Sequence, residues 1–353
     1  MSIQWMDDFK GYTTSANMLN GSPWAVLEGA VIAADPDPSA ESASRVLKAK
    51  SGSSGPEQTT RLALPTPATK AGVTFRLWLD TLPTGNSTGS GIVLLDGANN
   101  ALYCLHVNPN GSLSLFRGRH TTLLATTATP VFSAGSFAHL EILVDLTTGS
   151  LAVWKEGTAL TDLTITDATP PTGPIGMVGF FANRAAGSNG GNLPNIKDLY
   201  IYDGNGSQNN SQAGVLSIFR LSPSSDVSNG WTVTGGATAT SVLDKPSAVN
   251  DATFISAPDT LPADAVLNLD DLPDDVIGVR GLMTLARMRK SDSGDATVQV
   301  ALISNGDVDT GADRAISTTF SYYWDVSELD PDTGAAWSPI AVNQATVSIE
   351  RTS

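Results

Sequence analysis

Several groups of side chains in this chain have types and spacings that could carry chemistry. Glu141 and Asp145 in "EILVD" lie four residues apart. On a strand they share one face, the placement in which paired carboxylates work as acid and base or nucleophile on a glycosidic bond. Asp203, Asn205 and Ser207 in "DGNGS" sit at alternate positions, which is how a calcium loop begins, but Gly214 stands where the twelfth-position acid is needed. "NLDDLPDDV" gathers Asp270, Asp271, Asp274 and Asp275, and "SNGDVDTGAD" adds Asp307, Asp309 and Asp313. A hard cation would relieve their repulsion, as would water around separate turns. The first four are the candidate calcium ligands. In "SYYWD", Tyr322, Tyr323 and Trp324 are consecutive. On one strand such rings face both sides, so one side meets solvent, a ligand or a subunit. With Trp231 and Trp337, which lie near turns, they are the candidate contacts for carbohydrate or a protein partner.

Other catalytic patterns are missing. His106, His120 and His139 fall in neither H-x-H nor H-x-x-x-H spacing, and no G-x-S-x-G occurs. "GSNGGN" (187–192) lacks the Lys-Ser/Thr and the helix of a phosphate cradle. The single cysteine, Cys104 in "ALYCLHV", excludes an internal disulfide and a cysteine-rich zinc site and reads as core. Glu141 and Asp145 themselves read as a solvent-facing strand side ending in a turn aspartate. The expectation is therefore a protein with no catalytic residues and no cofactor beyond calcium.

These residues need elements to hold them, and the composition says which. The chain has 353 residues, 41% hydrophobic and 16% charged, with 33 Gly and 20 Pro. That is globular and turn-rich, of a length for two domains. Twenty Lys+Arg against 35 Asp+Glu give a net charge of −15, a field that repels nucleic acid and anionic membrane. No apolar run reaches the ~18 residues that span a bilayer, and "MSIQWMDDFKGY" lacks a basic-then-apolar signal pattern, so synthesis in the cytoplasm without membrane insertion is expected. Period-two runs predict strands at 24–33, 44–49, 59–64, 72–80, 91–95, 101–108, 112–116, 121–126, 136–145, 150–155, 174–183 and 196–202. "AESASRVLKAK" (40–50) fits either a helix or a short strand. Asn110-Gly111 and Asp145 to Gly149 read as hairpin turns. Beyond a polar tract, "GVLSIFRLSP", "GWTVTG", "ATFISAP", "DAVLNLDDLP", "GLMTLARMRK", "ATVQVALISNG", "STTFSYYWDV" and "NQATVSIERTS" supply about eight more strands. The predicted fold is all-β, two tandem β-sandwiches: domain 1–206, polar linker 207–213 and domain 214–353.

"GSFAHLEILVDLTTGSLAVWKEGTAL", "GPIGMVGFFAN" and "NIKDLYIYDG" resemble the concanavalin A-like, laminin-G-like jelly rolls. The closing motif is carried by Ile196, Asp198, Leu199, Ile201, Tyr202 and Asp203. The resemblance covers roughly 3–204 and implies that "MDDFKGY" pairs beside the last strand. β-Glucan hydrolases of this fold carry E-x-D-x-x-E, and here the second glutamate is missing. In segment order, "DLYIYDGNGSQNNSQAGVLSIFRLSPSSDVSNGWT", "VLDKPSAVNDATFISA" and "LDPDTGAAWSPIAVNQATVSIERT" resemble structural proteins of tailed bacteriophages, with "DATFIS" where a more acidic segment is usual. That resemblance implies a virion component, tail-fibre or tail-associated, in contact with other virion proteins, homo-oligomeric, and touching host-surface glycan. A capsid decoration or head-fibre protein is the alternative. From a different class, so is a carbohydrate-binding module or glycan hydrolase.

Overall fold

The computed structural model of the chain describes residues 3–9, 12, 24–26, 31–38, 45–48, 58–83, 90–182, 194–206, 208–243, 251–261 and 263–353. The chain divides into two compact units, the first built chiefly on Pro23–Ile218 and the second on Phe219–Ser353. Both are antiparallel β-sandwiches.

The first unit has the two-sheet layout of a jelly roll. One sheet runs Thr158–Ala159, Ser150–Lys155, Ala138–Asp145, Lys70–Trp78, Asn195–Tyr202, Arg45–Lys48, Val31–Ala34. The other runs Thr122–Thr126, Leu113–Arg117, Ala101–Val107, Ser90–Leu95, Ile175–Ala182, Gln58–Ala68, Trp24–Val26. The strands expected in this half are found except that 24–33 divides into Trp24–Val26 and Val31–Ala34, which join different sheets, and "AESASRVLKAK" resolves as the Arg45–Lys48 strand. Ile3–Asp7 pairs antiparallel beside the closing strand, Ile3 opposite Tyr202 and Asp7 opposite Leu199. Asp7 fixes this end, taking the indole N–H groups of Trp5 and Trp24 at 3.3 and 3.2 Å and the Phe9 amide at 2.8 Å.

Alternation in "AHLEILVD" sets the faces of the first sheet. Leu140, Ile142 and Val144 pair with Phe75, Val73 and Ala71. Phe75 meets Phe180 of the other sheet edge-on at 5.3 Å, so this set is the core side. Cys104 is buried as expected, in a separate cluster with Val93, Leu95 and Phe181 on the other face of the second sheet. His139, Glu141 and Leu143 point to the opposite face, opposite Arg76, Thr74 and Gly72. The hairpin at Asp145 to Gly149 closes because Asp145 Oδ1 accepts the Thr147 amide at 2.9 Å, and Gly149 takes φ +69° where a Cβ would lie 2.3 Å from the Asp167 carbonyl oxygen.

The second unit is centred on a six-stranded sheet. Pro223–Asn229, Ala263–Leu269, Thr346–Arg351, Thr297–Ser304 and Asp307–Thr310 lie in that order, with Arg314–Ala315 also on Thr297–Ser304. Two ribbons complete it, Thr232–Thr234 with Phe254–Ser256 and Leu282–Met288 with Ser321–Ser327. Its core joins Leu302 of the sheet to Leu272, Trp337, Val342 and Ala345, with Leu282 of the longer ribbon against them. Two short helices, Ala239–Leu243 and Pro339–Gln344, were absent from the strand-based expectation. The second begins with a usual signal: Ser338 accepts the Ala341 amide and Pro339 occupies the first turn.

One segment departs from its expected form. "GVLSIFRLSP" was to open the second domain as a strand, but residues 214–222 form none, and the first strand of that unit starts at Pro223. The first unit continues to Ile218, so the described part of the 207–213 linker lies within it.

Candidate functional site

The outer face of the first sheet is polar, and the chain from Asn210 to Ile218 lies along it as a strap. Glu141 is at its centre. It is fully buried rather than solvent-facing as expected, and both carboxylate oxygens are occupied. Tyr202 Oη donates to Oε1 at 2.7 Å, the Ala213 amide to Oε1 at 2.6 Å and the Gly214 amide to Oε2 at 3.1 Å. The Tyr202 ring fits because it crosses Gly72, where a Cβ would fall 1.9 Å from Cζ. Burial first, then the Glu141 charge, pushes the Tyr202 phenol far above its ordinary value. This phenol stays a donor.

The rest of the strap is held in the same way. The Leu216 amide donates to His139 Nε2 at 3.3 Å, and Thr74 Oγ1 lies 2.7 Å from the same nitrogen. Nε2 is therefore an acceptor, and the neutral ring carries its proton on Nδ1, which has no partner among the described residues. Burial drives the imidazole down to about 4, Arg76 pushes the same way and Glu156 opposes. Asp198 takes the Ile218 amide at 3.2 Å and pairs with Arg76 Nε at 3.1 Å. It sits at φ +51° within an irregularity of its strand, which turns its side chain toward the strap. Burial raises its carboxyl, with Arg76 the main opposing influence. Lys70 Nζ and Arg76 Nη2 complete the hold on the Asn210 carbonyl and the Ser217 hydroxyl. Both Glu141 oxygens are taken by the chain itself, and Asp145 Oδ1 takes the Thr147 and Thr148 amides. Asp145 is a turn cap.

The proposed calcium positions do not converge. Asp203 is buried, with Oδ2 on Gln4 Nε2 at 2.8 Å and Oδ1 on the Asn205 amide at 2.8 Å. It fastens the first strand to the last, while Ser207 is outside the described residues. Asp270 pairs with Ser222, its amide to the Ser222 carbonyl at 2.9 Å and its Oδ2 on the Ser222 amide at 3.3 Å. Asp271, Asp274 and Asp275 are exposed around a loop pinned by the Leu272 amide on Asn343 Oδ1. Among the described residues no three carboxylate, histidine or cysteine side chains gather as cation ligands. Solvation of separate carboxylates accounts for the spacing.

The candidate contact residues separate. Trp337 is 2% exposed and belongs to the core of the second unit, so it is not a surface contact. The turn before it explains the burial: Asp330 accepts the Asp332 amide and the Thr333 hydroxyl, and "DPDTG" folds back to place Trp337 beneath the 339–344 helix. Trp231 donates its indole N–H to the Ala263 carbonyl at 3.1 Å and stays half-buried. Tyr322, Tyr323 and Trp324 do come together. With Asp313, Arg314, Ala315, Ser317 and Ser321 they line an open cavity of about 470 Å³ inside the second unit. Tyr322 is buried at its base and Tyr323 and Trp324 are half-buried along it. Sequence reasoning missed Asp313 and Arg314 as neighbours of these rings, because the short Arg314–Ala315 strand that delivers them had no periodic signal.

No family model matches the chain and no curated protein matches it. Among solved structures it is similar to a sialidase (17% identity, TM-score 0.37), over 56% of this chain and 18% of that one. It is also similar to the cellulose-induced protein Cip1 (17% identity, TM-score 0.43), over 60% of this chain and all of that one. A third is the galectin LEC-6 of Caenorhabditis elegans (13% identity, TM-score 0.29), over 41% of this chain and 91% of that one. The matched stretch thus spans under a fifth of the sialidase. These are partial likenesses among β-sandwich proteins.

Proposed function

We propose that this chain is a non-catalytic structural component of a tailed-phage virion, tail-associated, which meets other virion proteins and host-surface glycan through its second unit. The observation that carries the non-catalytic part is the state of Glu141. A glycosidic acid or nucleophile must reach substrate, and this carboxylate is fully buried under the 210–218 strap with both oxygens engaged. The virion placement is supported by the order of sequence segments, from the jelly-roll closing strand through the polar tract to the terminal "PDTGAAW" turn. A net charge of −15 fits a partner that is neither nucleic acid nor anionic membrane. The reading is tested by incubating the full chain with polysaccharide from the host envelope while following its recovery with purified particles. Co-purification without release of reducing sugar is expected. Release that vanishes in Glu141→Gln would overturn the non-catalytic reading.

A further inference from the structure

The strap of the first unit is held in two parts. Ala213 and Gly214 sit on the carboxylate of Glu141. Beyond them the Leu216 amide rests on His139 Nε2 at 3.3 Å, the Ser217 hydroxyl takes Arg76 Nη2 at 3.1 Å and the Ile218 amide donates to Asp198 at 3.2 Å. Leu216 and Ile218 are half-buried, and Val215 and Ser217 between and beside them are exposed. Gly214 separates the two parts at φ +81°, with nothing within 4 Å of an added Cβ, so the backbone can rotate there without striking a neighbour.

The second part depends on a neutral imidazole. His139 Nε2 also lies 2.7 Å from Thr74 Oγ1, while Nδ1 carries the ring proton and has no hydrogen-bond partner among the described residues. A second proton, on Nε2, would place a charge on a ring that is 3% exposed and set an N–H against the N–H of Leu216. It would also repel Arg76, the residue that holds Ser217 and pairs with Asp198. One proton thus loosens all three contacts.

The other charged groups around the ring do not provide this response. Glu156 accepts the His139 amide at 2.8 Å and favours the imidazolium. Glu141, on the same strand face, is taken by Tyr202, Ala213 and Gly214. Lys155 stands opposite Leu140 on the alternate face, and Lys197 is paired with Asp35 at 2.9 Å. Asp198 titrates in the opposite sense. Burial raises its carboxyl, Arg76 and Lys197 oppose and Asp8 adds, so its proton favours the closed form. Residues 212–218 of the strap carry no titratable side chain.

We propose that His139 is a proton-operated latch: a second proton on its ring releases Leu216 to Ile218 from the sheet, with Gly214 as the hinge and Ala213 and Gly214 still bound to Glu141. Release bares Leu216 and Ile218 beside the exposed Val215, a short aliphatic run that the neutral form keeps half-covered. Burial lowers the closed ring from 6.5 to about 4, and the released ring regains its ordinary value. The closed form is therefore favoured in full above pH 6.5 and loses about tenfold per pH unit as pH falls from 6.5 toward 4. Between pH 7 and pH 5 the ratio of released to closed strap rises about twentyfold.

The test is amide hydrogen exchange of the full chain at pH 7 and pH 5, corrected for the intrinsic pH dependence of exchange, in water and in sub-denaturing urea. Leu216 and Ile218 are expected to exchange at least tenfold faster than Ala213, Gly214 and the Ala138–Asp145 amides. Their exchange should hardly depend on urea, because a local opening exposes little surface. Their protection should fall about twentyfold from pH 7 to pH 5 in the wild type and less than threefold in His139→Gln, which keeps an acceptor and does not titrate. The urea dependence is read on the wild type, so the test stands even where the variant folds poorly. Leu216 and Ile218 as protected as the sheet amides and equally sensitive to urea would overturn the latch, since the strap would then leave only on global unfolding. A fall in His139→Gln equal to that of the wild type, or no fall in either, would overturn it as well.

Discussion

His139 links the strap of the first unit to pH in a way that can be worked out. Its ring is 3% exposed, its Nε2 accepts the Leu216 amide, and Arg76 stands nearby. A proton on Nε2 would replace two accepted hydrogen bonds with a buried charge, so burial lowers the group from 6.5 to about 4. The unfolded chain then takes up a proton near pH 6.5 that the native protein refuses until about pH 4. Native stability from this residue is fully present above pH 6.5 and is lost as pH falls from 6.5 toward 4. At 1.36 kcal/mol per pH unit the gap amounts to about 3 kcal/mol, of which about 2 kcal/mol disappears between pH 7 and pH 5. His139→Gln keeps an acceptor for the Leu216 amide and does not titrate. The assay is urea unfolding of the full chain at pH 7 and pH 5, with the first unit followed by hydrogen exchange of the Ala138–Asp145 amides. Wild type is expected to lose about 2 kcal/mol more than the variant over that interval. Equal losses in the two proteins would refute the reasoning, because the titration would then lie elsewhere.

Further outcomes follow from single contacts. Glu141→Gln puts an NH2 group against a donor, leaving the Tyr202 hydroxyl or an Ala213 or Gly214 amide unsatisfied. It should cost about 2–3 kcal/mol, with exchange at the Ala213 and Gly214 amides accelerating before that of the sheet. Gly149→Ala should cost more than about 2 kcal/mol, since the Cβ would strike the Asp167 carbonyl at φ +69°. Gly135→Ala, at φ +76° with open space around it, should cost only about 1 kcal/mol, and the difference in urea midpoints checks both. Trp337→Ala should destabilise the second unit by about 3–5 kcal/mol as a core cavity. Thermal unfolding read at the second unit decides whether that ring is core or contact.

The fold was legible because "AHLEILVD", "SLAVWK" and their neighbours alternate cleanly and are separated by Gly and Asn turns. That an N-terminal segment pairs beside Asn195–Tyr202 was legible through the resemblance to jelly rolls, although the paired residues are Ile3–Asp7 and of "MDDFKGY" only Met6 and Asp7 belong to them. What alternation does not reveal is what covers the outer face of a sheet. Glu141 therefore read as solvent-facing, and the strap that buries it reads from sequence as a polar tract and then a strand. A hint was present: Ala213, Val215, Leu216 and Ile218 follow the polar residues closely, with a φ +81° Gly214 between them. Trp337 was misplaced for a related reason. A tryptophan after "PDTG" lies near a turn in sequence, yet the turn around Asp330 swings it inward. The aromatic run 322–324 was found from composition alone, whereas Asp313 and Arg314 reach it only through tertiary structure.

The central proposal, a non-catalytic tail component, is tested most directly by gold-labelled antibody against the full chain, viewed by electron microscopy on intact particles. Label along the tail, in several copies per particle, is the expected result. Particles that carry no label, with the chain recovered only free of them, would contradict it.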